Sequence, residues 1–262
     1  MSSAQLQTPV PVAGGRDEWS PRVMPPIGAD LTERQKLACA FRILAGEGFT
    51  ENIAGHITMR DDATGHFWVN PWGLWWDEIT ASDLCRVDAG AQVVEGKWDV
   101  TPAIHIHTEL HRRRDDAAVV IHNHPYHVTV LAALGLLPEM VHQQATMFDG
   151  DLAFVDEYTG EVASAELGAD LAQRIGAASV VVLANHGVIV TGPSVEEATY
   201  RAATIDRACR LMYDVVTSGR AYTTVPAPLR QPMKASLLER GTEFYWGGAV
   251  RALLRQQPEV LA

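Results

Sequence analysis

We predict from the sequence an α/β protein in which helices cover a largely antiparallel central sheet. The aliphatic runs at residues 118–121 and 179–183 are typical of buried strands. Residues 56–59 and 66–70 flank a turn of polar residues and glycine, which indicates a hairpin. Residues 195–218 place apolar side chains along one helix face, which indicates a long packed helix.

The predicted elements follow one another without an internal repeat. Residues 1–28 are rich in proline, so we expect an extended arm that is disordered or lies on a neighbour. The first helix begins near Leu31, where Thr32 and Glu33 are N-terminal signals, and Gly46 ends it. The remaining predicted elements are strands at 56–59, 66–70, 84–87, 92–95, 118–121, 154–155, 179–183 and 188–191 and helices at 102–113, 126–134, 166–175, 195–218 and 242–254.

Composition limits the classes of partner. The chain has 262 residues, 47% hydrophobic, and a net charge of −11, which disfavours nucleic acid and anionic membranes. Its three cysteines are far apart and suggest no disulfide framework, so we expect buried thiols in a reducing compartment. The sequence shows neither a signal peptide nor an apolar run long enough to span a membrane. We therefore expect a cytoplasmic protein that acts on a small molecule.

Three histidines at strand ends form the main candidate site. His122 and His124 follow one predicted strand, and their spacing of two places both side chains on one face. His186 follows the second aliphatic strand and would complete a triad that leaves metal positions open. The alternative is that these histidines are ordinary hydrogen-bonded residues. His107 and His111, four apart on a helix, also suit a metal but are more typical of surface histidines.

A bound metal needs partners that orient its imidazoles, and Asn123, Asn185 and backbone carbonyls are near enough in sequence to serve. Four tryptophans also lie close together, at positions 68, 72, 75 and 76. We expect Trp68, Trp75 and Trp76 to pack in the core or at an interface between subunits.

These motifs resemble the class II aldolase/adducin family. His-Asn-His-Pro after Val-Val-Ile and a later Asn-His-Gly-Val-Ile carry the resemblance, which covers about residues 30–220. Segments 51–57, 70–73, 79–84 and 192–198 also match. The resemblance implies a three-layer αβα fold and a homotetramer with active sites near subunit interfaces. We accordingly predict an arm at 1–28, a metal-binding domain at 29–225 and a tail at 226–262 that packs on the domain or on a neighbour.

The resemblance also implies the ligands and shows what this chain lacks. The family's aldolases bind Zn²⁺ through histidines that correspond to His122, His124 and His186, and they use a glutamate as acid or base. Counting back from His122 places Ala103 at that glutamate position, and alanine transfers no protons. Thr101 and Pro102 replace the serines that hold a substrate phosphate, and Gln143 and Gln144 lie near a position where the aldolases have a tyrosine.

The substrate-binding candidates come from the matched segments. Asn52 would hydrogen-bond the substrate, and Trp72 with Gly73 forms the turn that the family uses for substrate, with Trp72 as an aromatic wall. Metal-bound water, His105 or Glu109 would move protons.

Three functions follow from this pattern. The first is a metal-dependent lyase, of aldolase or decarboxylase type, that acts on a small non-phosphorylated, aromatic or apolar, carbonyl or carboxylic acid. The second is a non-haem Fe(II) oxygenase of the same fold that acts on an aromatic 2-oxo or 2-hydroxy acid. The third is a non-catalytic assembly module like adducin. Zn²⁺ is the metal expected from the resemblance, and imidazole ligands also accept Fe, Mn, Co and Ni.

Overall fold

The computed structural model describes residues 10–11, 21–156, 160 and 162–262. The strands are β1 (Val10–Pro11), β2 (Val23–Met24), β3 (His56–Asp61), β4 (His66–Val69), β5 (Cys85–Val87), β6 (Val93–Glu95), β7 (Val119–Asn123), β8 (Leu152–Val155), β9 (Val180–Leu183) and β10 (Val188–Gly192). The helices are α1 (Glu33–Gly46), α2 (His105–Arg113), α3 (Tyr126–Leu134), α4 (Ala165–Ile175), α5 (Val195–Thr217), α6 (Ala227–Ser236) and α7 (Thr242–Gln256).

Eight of these strands form one sheet in the order β6-β5-β4-β3-β7-β10-β9-β8. Every neighbouring pair is antiparallel except β8 and β9, which run parallel at one edge. Helix α4 lies between β8 and β9 in the chain and provides the crossover length that a parallel pairing needs. The expectation of a largely antiparallel sheet is confirmed.

Helices cover both faces of the sheet, which confirms the predicted three-layer α/β fold. On one face, α1, α3, α5 and α7 bury apolar residues against β3, β7, β9 and β10. On the other face, α2 and α4 pack together over Val120, Val181 and Ile189. Alternate residues of β7 therefore point into different cores, because strand side chains alternate between faces.

Local signals position the first helix as expected. Thr32 accepts a hydrogen bond from the backbone N–H of Gln35, and the Gln35 side chain accepts one from the backbone N–H of Thr32. This reciprocal cap satisfies two N–H groups that would otherwise lack partners. Phe41 and Leu44 on the inner face are fully buried, so truncation of either to alanine should cost about 3 kcal/mol.

Three segments differ from their predicted form. The helix expected from residue 102 begins with a 3₁₀ turn at Pro102–Ile104 before α2. Strand β8 begins two residues before the predicted 154–155. The tail contains two helices, α6 and α7, joined by a π-helical turn at Leu237–Gly241, and α7 packs on α5 through Trp246 and Val250. The sequence predicted only the second of these helices.

Most of the predicted arm at 1–28 lies outside the described residues. Within it, β1 and β2 pair antiparallel. No helix in the described part of the chain combines the length and the apolar composition that crossing a bilayer requires. All three cysteines, Cys39, Cys85 and Cys209, are buried free thiols.

Candidate metal centre

Two adjacent antiparallel strands bring the three predicted histidines together. His122 lies on β7, and its strand partner is Ile189 of β10. The turn between β9 and β10 carries His186, so the β-hairpin places this ring beside the end of β7. One ligand nitrogen from each of His122, His124 and His186 lies within 4.8 Å of the others. The ring centroids are separated by 5.0, 4.8 and 4.8 Å.

The ring nitrogens of His122 and His124 are spaced as a shared ion requires. Their Nε2 atoms lie 3.2 Å apart. Two nitrogens bound to one ion at about 2.0–2.1 Å in tetrahedral geometry would be separated by about 3.3 Å. Neither atom needs to move far for both to reach a common ion.

The opposite ring nitrogens hold these imidazoles in the matching tautomer. His122 Nδ1–H donates to the carbonyl of Val188 at 3.0 Å, and His124 Nδ1–H donates to Glu51 Oε2 at 2.5 Å. Each Nε2 therefore presents a lone pair toward the centre. A carbonyl or carboxylate on the remote nitrogen is the usual way in which proteins orient metal-binding histidines.

The orienting partners differ from those expected. Asn123 binds backbone rather than imidazole, since its Oδ1 accepts from the His124 N–H at 2.8 Å and its Nδ2 donates to Ala54 O at 3.4 Å. Asn185 adopts a left-handed conformation with φ of 52° in the turn before His186. The carbonyl of Val188 confirms the backbone part of the expectation, whereas Glu51 was missed.

Burial keeps His122 and His186 in the neutral form that a metal needs. Burial lowers the pKa of His122 well below its usual value. Burial also lowers the pKa of His186 to about 4, with the nearby His124 acting in the same direction and Glu51 opposing it. Neutral imidazoles at pH 7 are the state that binds a divalent cation. The residues present therefore fit a metal ion.

A cavity of about 490 Å³ opens beside the triad. Asn52, Trp72, Thr101, Pro102 and Ala103 line it, as do the three histidines and His56. Much of the remaining wall is apolar, from Ile53, Ile106, Val162, Leu171, Leu183 and Ile189. Lysine and arginine do not occur among the described residues of this wall. It offers no fixed cation to a phosphate group.

Two of the three predicted substrate-binding residues lie on this cavity. Asn52 and Trp72 line it, and Trp72 is 50% exposed. Gly73 follows Trp72 with φ of 107° and shapes the turn, but it is not a lining residue. Asn52 also has a positive φ, 55°, and its side chain accepts from the backbone N–H of Ile53 at 2.8 Å.

The proposed proton-transfer residues His105 and Glu109 are not part of the cavity wall. Glu109 instead accepts a hydrogen bond from Arg112 at 2.6 Å, and this guanidinium lowers the pKa of the Glu109 carboxyl. Gln144 lines a separate depression with Arg207. The geometry of one chain therefore gives no proton-transfer role to these side chains.

The tryptophans divide between core and surface. Trp76 is buried against Phe41, with ring centroids 5.1 Å apart. Trp68 is half-buried beneath the guanidinium of Arg34 at 4.6 Å. Trp75 is 45% exposed, so it does not pack in the core of the single chain, and its packing at an interface between subunits stays a prediction.

The sequence missed a second group of histidines. His56 lies opposite His122 in the β3–β7 pairing, and it lines the cavity. His107 and His111 are buried, contrary to the interpretation of this pair as surface residues. Each uses one ring nitrogen in a hydrogen bond with Thr58 Oγ1. The available signal was that Ile104 and Leu110 flank this pair on one inward helix face.

Comparisons with known proteins agree with the fold. Residues 35–213 match the family described as Class II Aldolase and Adducin N-terminal domain. Decarboxylase NovR of Streptomyces niveus is 31% identical over 70% of this chain and 69% of its own length. The 4-hydroxy-3-prenylphenylpyruvate oxygenase/4-hydroxy-3-prenylbenzoate synthase of Streptomyces roseochromogenus subsp. oscitans is also 31% identical, over 70% and 68%. An aldolase II superfamily protein from Pseudomonas syringae superposes with a TM-score of 0.77 at 29% identity, covering 87% of this chain and 94% of that one.

Proposed function

Because the chain belongs to the class II aldolase and adducin family, we propose that it is a metal-dependent carbon–carbon lyase. The observation that carries the proposal is the convergence of His122, His124 and His186 on the wall of a largely apolar cavity. The reaction class is cleavage next to a carbonyl, as in an aldolase or decarboxylase. We propose Zn²⁺ as the bound ion, with Fe, Mn, Co or Ni as alternatives that the same ligands accept.

The metal, when bound, would polarise a substrate carbonyl or carboxylate and stabilise negative charge that develops beside it. The protein's own residues do the rest. The triad holds the ion, Glu51 and the Val188 carbonyl fix two of its rings, and the apolar walls exclude water. Exclusion of water strengthens these electrostatic interactions because the local dielectric falls.

Position 103 favours decarboxylation over aldol cleavage. A retro-aldol step needs a base to remove a hydroxyl proton, and alanine lines the cavity where the resemblance places the glutamate. Loss of CO₂ from a 3-oxo acid needs no proton taken from the substrate, because the electron pair of the C–C bond moves into the polarised carbonyl and forms an enolate, which solvent then protonates. The similarity to a protein named as a decarboxylase supports this choice.

The walls indicate the substrate class. Thr101 and Pro102 line the cavity where the resemblance places phosphate-binding serines, and the described wall lacks lysine and arginine. Trp72 offers an aromatic face that is half exposed at the rim. A small, non-phosphorylated carbonyl or carboxylic acid, aromatic or apolar, fits this surface. We propose that the chain acts on a small molecule rather than on nucleic acid or a membrane.

A second function rests on the similarity to the prenylphenylpyruvate oxygenase. A triad of histidines also suits Fe(II), with open positions for O₂ and a 2-oxo acid. This alternative predicts O₂ uptake that depends on iron, whereas a lyase releases CO₂ without consuming O₂. The third alternative, an assembly module like adducin, predicts no turnover with any metal.

We further propose a cytoplasmic homotetramer with active sites near subunit interfaces, as the resemblance implies. Tyr126, which follows the His122–His124 segment, is 72% exposed in the single chain. An interface would cover this ring and Trp72. Light scattering of the purified protein measures the mass and tests this directly.

Turnover assays test the proposed reaction. Protein loaded with Zn²⁺, or loaded anaerobically with Fe²⁺, is incubated in air-saturated buffer with carboxyl-labelled 3-oxo acids such as benzoylacetate and acetoacetate, and separately with phenylpyruvate and pyruvate, while CO₂ and O₂ are recorded. We expect CO₂ release from a 3-oxo acid without O₂ uptake, and loss of this activity in His124→Ala. Iron-dependent O₂ uptake would favour the oxygenase instead. Absence of both reactions with every metal would contradict a catalytic role.

A further inference from the structure

A chain of buried hydrogen bonds runs from the cavity wall to the carbonyl of Ala117, between α2 and β7. His56 Nδ1 lies 2.6 Å from His107 Nε2, and His107 Nδ1 lies 2.8 Å from Thr58 Oγ1. Thr58 Oγ1 is also 2.7 Å from His111 Nε2, and His111 Nδ1 is 2.6 Å from the carbonyl oxygen of Ala117. All four side chains are at most 5% exposed.

The carbonyl at the end of this chain fixes the direction of every bond in it. A carbonyl oxygen only accepts, so His111 donates from Nδ1 and its Nε2 accepts. Thr58 must then donate its single hydroxyl proton to His111 and accept from His107 Nδ1–H. His107 Nε2 is left as an acceptor, and it takes the proton of His56 Nδ1–H.

This assignment requires each histidine to be neutral, since a doubly protonated ring would have no acceptor nitrogen. Burial provides that condition. It lowers the pKa of His56 to about 3 and that of His111 to about 4, and it lowers the pKa of His107 well below its usual value. The direction of the bonds follows from the geometry, and the pKa shifts are consistent with it.

The consequence is a lone pair at the cavity. His56 uses Nδ1 for the internal chain, and its ring forms part of the cavity wall, 5.2 Å from the ring of His122. Its Nε2 carries no proton and therefore only accepts. Thr58, His107 and His111, none of which lines the cavity, thus determine the hydrogen-bonding polarity of one atom beside the metal ligands.

We propose that His56 is a specificity residue whose Nε2 accepts a hydrogen bond from a hydroxyl of the substrate, and that Thr58, His107 and His111 position it in that tautomer. The substrate class is accordingly a carbonyl acid that carries a hydroxyl next to the metal-binding group. A ligand with only acceptor atoms at this position would meet a lone pair and be disfavoured. This inference deepens the lyase proposal and rests on the same cavity.

Imidazole ¹⁵N NMR on histidine-labelled, metal-free protein tests the tautomer without metal or ligand. We expect His56, His107 and His111 each to carry its proton on Nδ1. In Thr58→Val, which keeps the volume but removes the hydroxyl, the fixed pattern at His107 and His56 should be lost. Thr58→Ser, which keeps the hydroxyl, should retain it. A proton on Nε2 of His56 in the wild type would overturn the proposal.

A ligand pair tests the hydrogen bond itself. Mandelate and phenylacetate differ by one hydroxyl, and calorimetry measures both with the Zn²⁺-loaded wild type and His56→Asn. The Asn amide nitrogen takes the place of Nδ1 and still donates to His107, but the cavity-facing acceptor is gone. Any contact of the mandelate hydroxyl with the metal occurs in both proteins, so it cancels when the preference for mandelate over phenylacetate is compared between variant and wild type. We expect the preference for mandelate to fall about 10-fold in the variant, the loss of one hydrogen bond.

Two results would overturn this role. An unchanged preference for mandelate would show that His56 does not contact the hydroxyl. Loss of Zn²⁺ from His56→Asn, as severe as that from His124→Ala, would show that His56 is a metal ligand instead. Because the NMR measurement needs neither turnover nor metal, it separates failure of this inference from failure of the lyase proposal.

Discussion

Gly187 lies where β9 and β10 approach the end of β7, and a methyl group there should disturb the triad. A Cβ at this position would lie 2.5 Å from the carbonyl oxygen of Asn123 and 2.5 Å from Cδ2 of His124. Ordinary contacts are 3.4–4 Å, so β7 or the His124 ring must move by about 1 Å. Metal sites tolerate only about 0.2 Å in ligand distances. One of the two contacts is backbone, which cannot rotate away.

We therefore expect Gly187→Ala to lose about 1–3 kcal/mol of unfolding free energy through overpacking. We also expect Zn²⁺ affinity to fall at least about 10-fold as His124 is displaced. Urea unfolding of the metal-free protein gives the first quantity, and competition with a chromophoric chelator gives the second. Gly46→Ala is the matched control, because a Cβ there meets nothing within 4 Å at the end of α1. Wild-type stability together with wild-type Zn²⁺ affinity in Gly187→Ala would refute the reasoning.

Three further predictions follow from the site. Glu51→Gln should weaken Zn²⁺ binding about 10-fold, the lower end for an orienting partner, since the Glu51 side chain is 57% exposed; equal affinity in chelator competition would contradict this. The unfolding free energy of the metal-free protein should fall as pH decreases from 6.5 to about 4. In this range the histidines bind protons in the unfolded chain, whereas buried histidines of the folded protein stay neutral. With its pKa at about 4, His111 alone contributes about 3 kcal/mol to the unfolding free energy above pH 6.5. Urea titrations that show the same unfolding free energy across this pH interval would refute the prediction. Trp72→Ala should weaken the binding of phenylpyruvate roughly 5-fold by loss of apolar contact, as measured by calorimetry, while the binding of pyruvate changes little. An equal loss of affinity for both ligands would show that Trp72 does not form an aromatic wall of the cavity.

The sequence predicts the triad because strand geometry is local. His122 and His124 share a face through the two-residue period of a strand, and aliphatic runs mark both strands. The sheet's antiparallel character follows similarly from the hairpin of β3 and β4. Such signals depend only on residues that are close in sequence, so they can be recognised without knowledge of tertiary contacts.

Residues whose burial depends on distant partners were not predictable in this way. His107 and His111 resemble surface residues until Thr58 of β3 and the carbonyl of Ala117 satisfy them. Glu51 reaches His124 across 73 positions of sequence. The sequence of the tail helix α6 lacks the apolar stripe that marks a packed helix, and the folded helix buries no residue completely.

Metal content of protein purified without added metal tests the central claim most directly. Elemental analysis should find about one divalent ion per chain in the wild type and almost none in the double variant His122→Ala, His186→Ala. Circular dichroism of the same samples checks that the variant is folded. Equal metal content in the wild type and the folded double variant would contradict the assignment of these histidines as ligands.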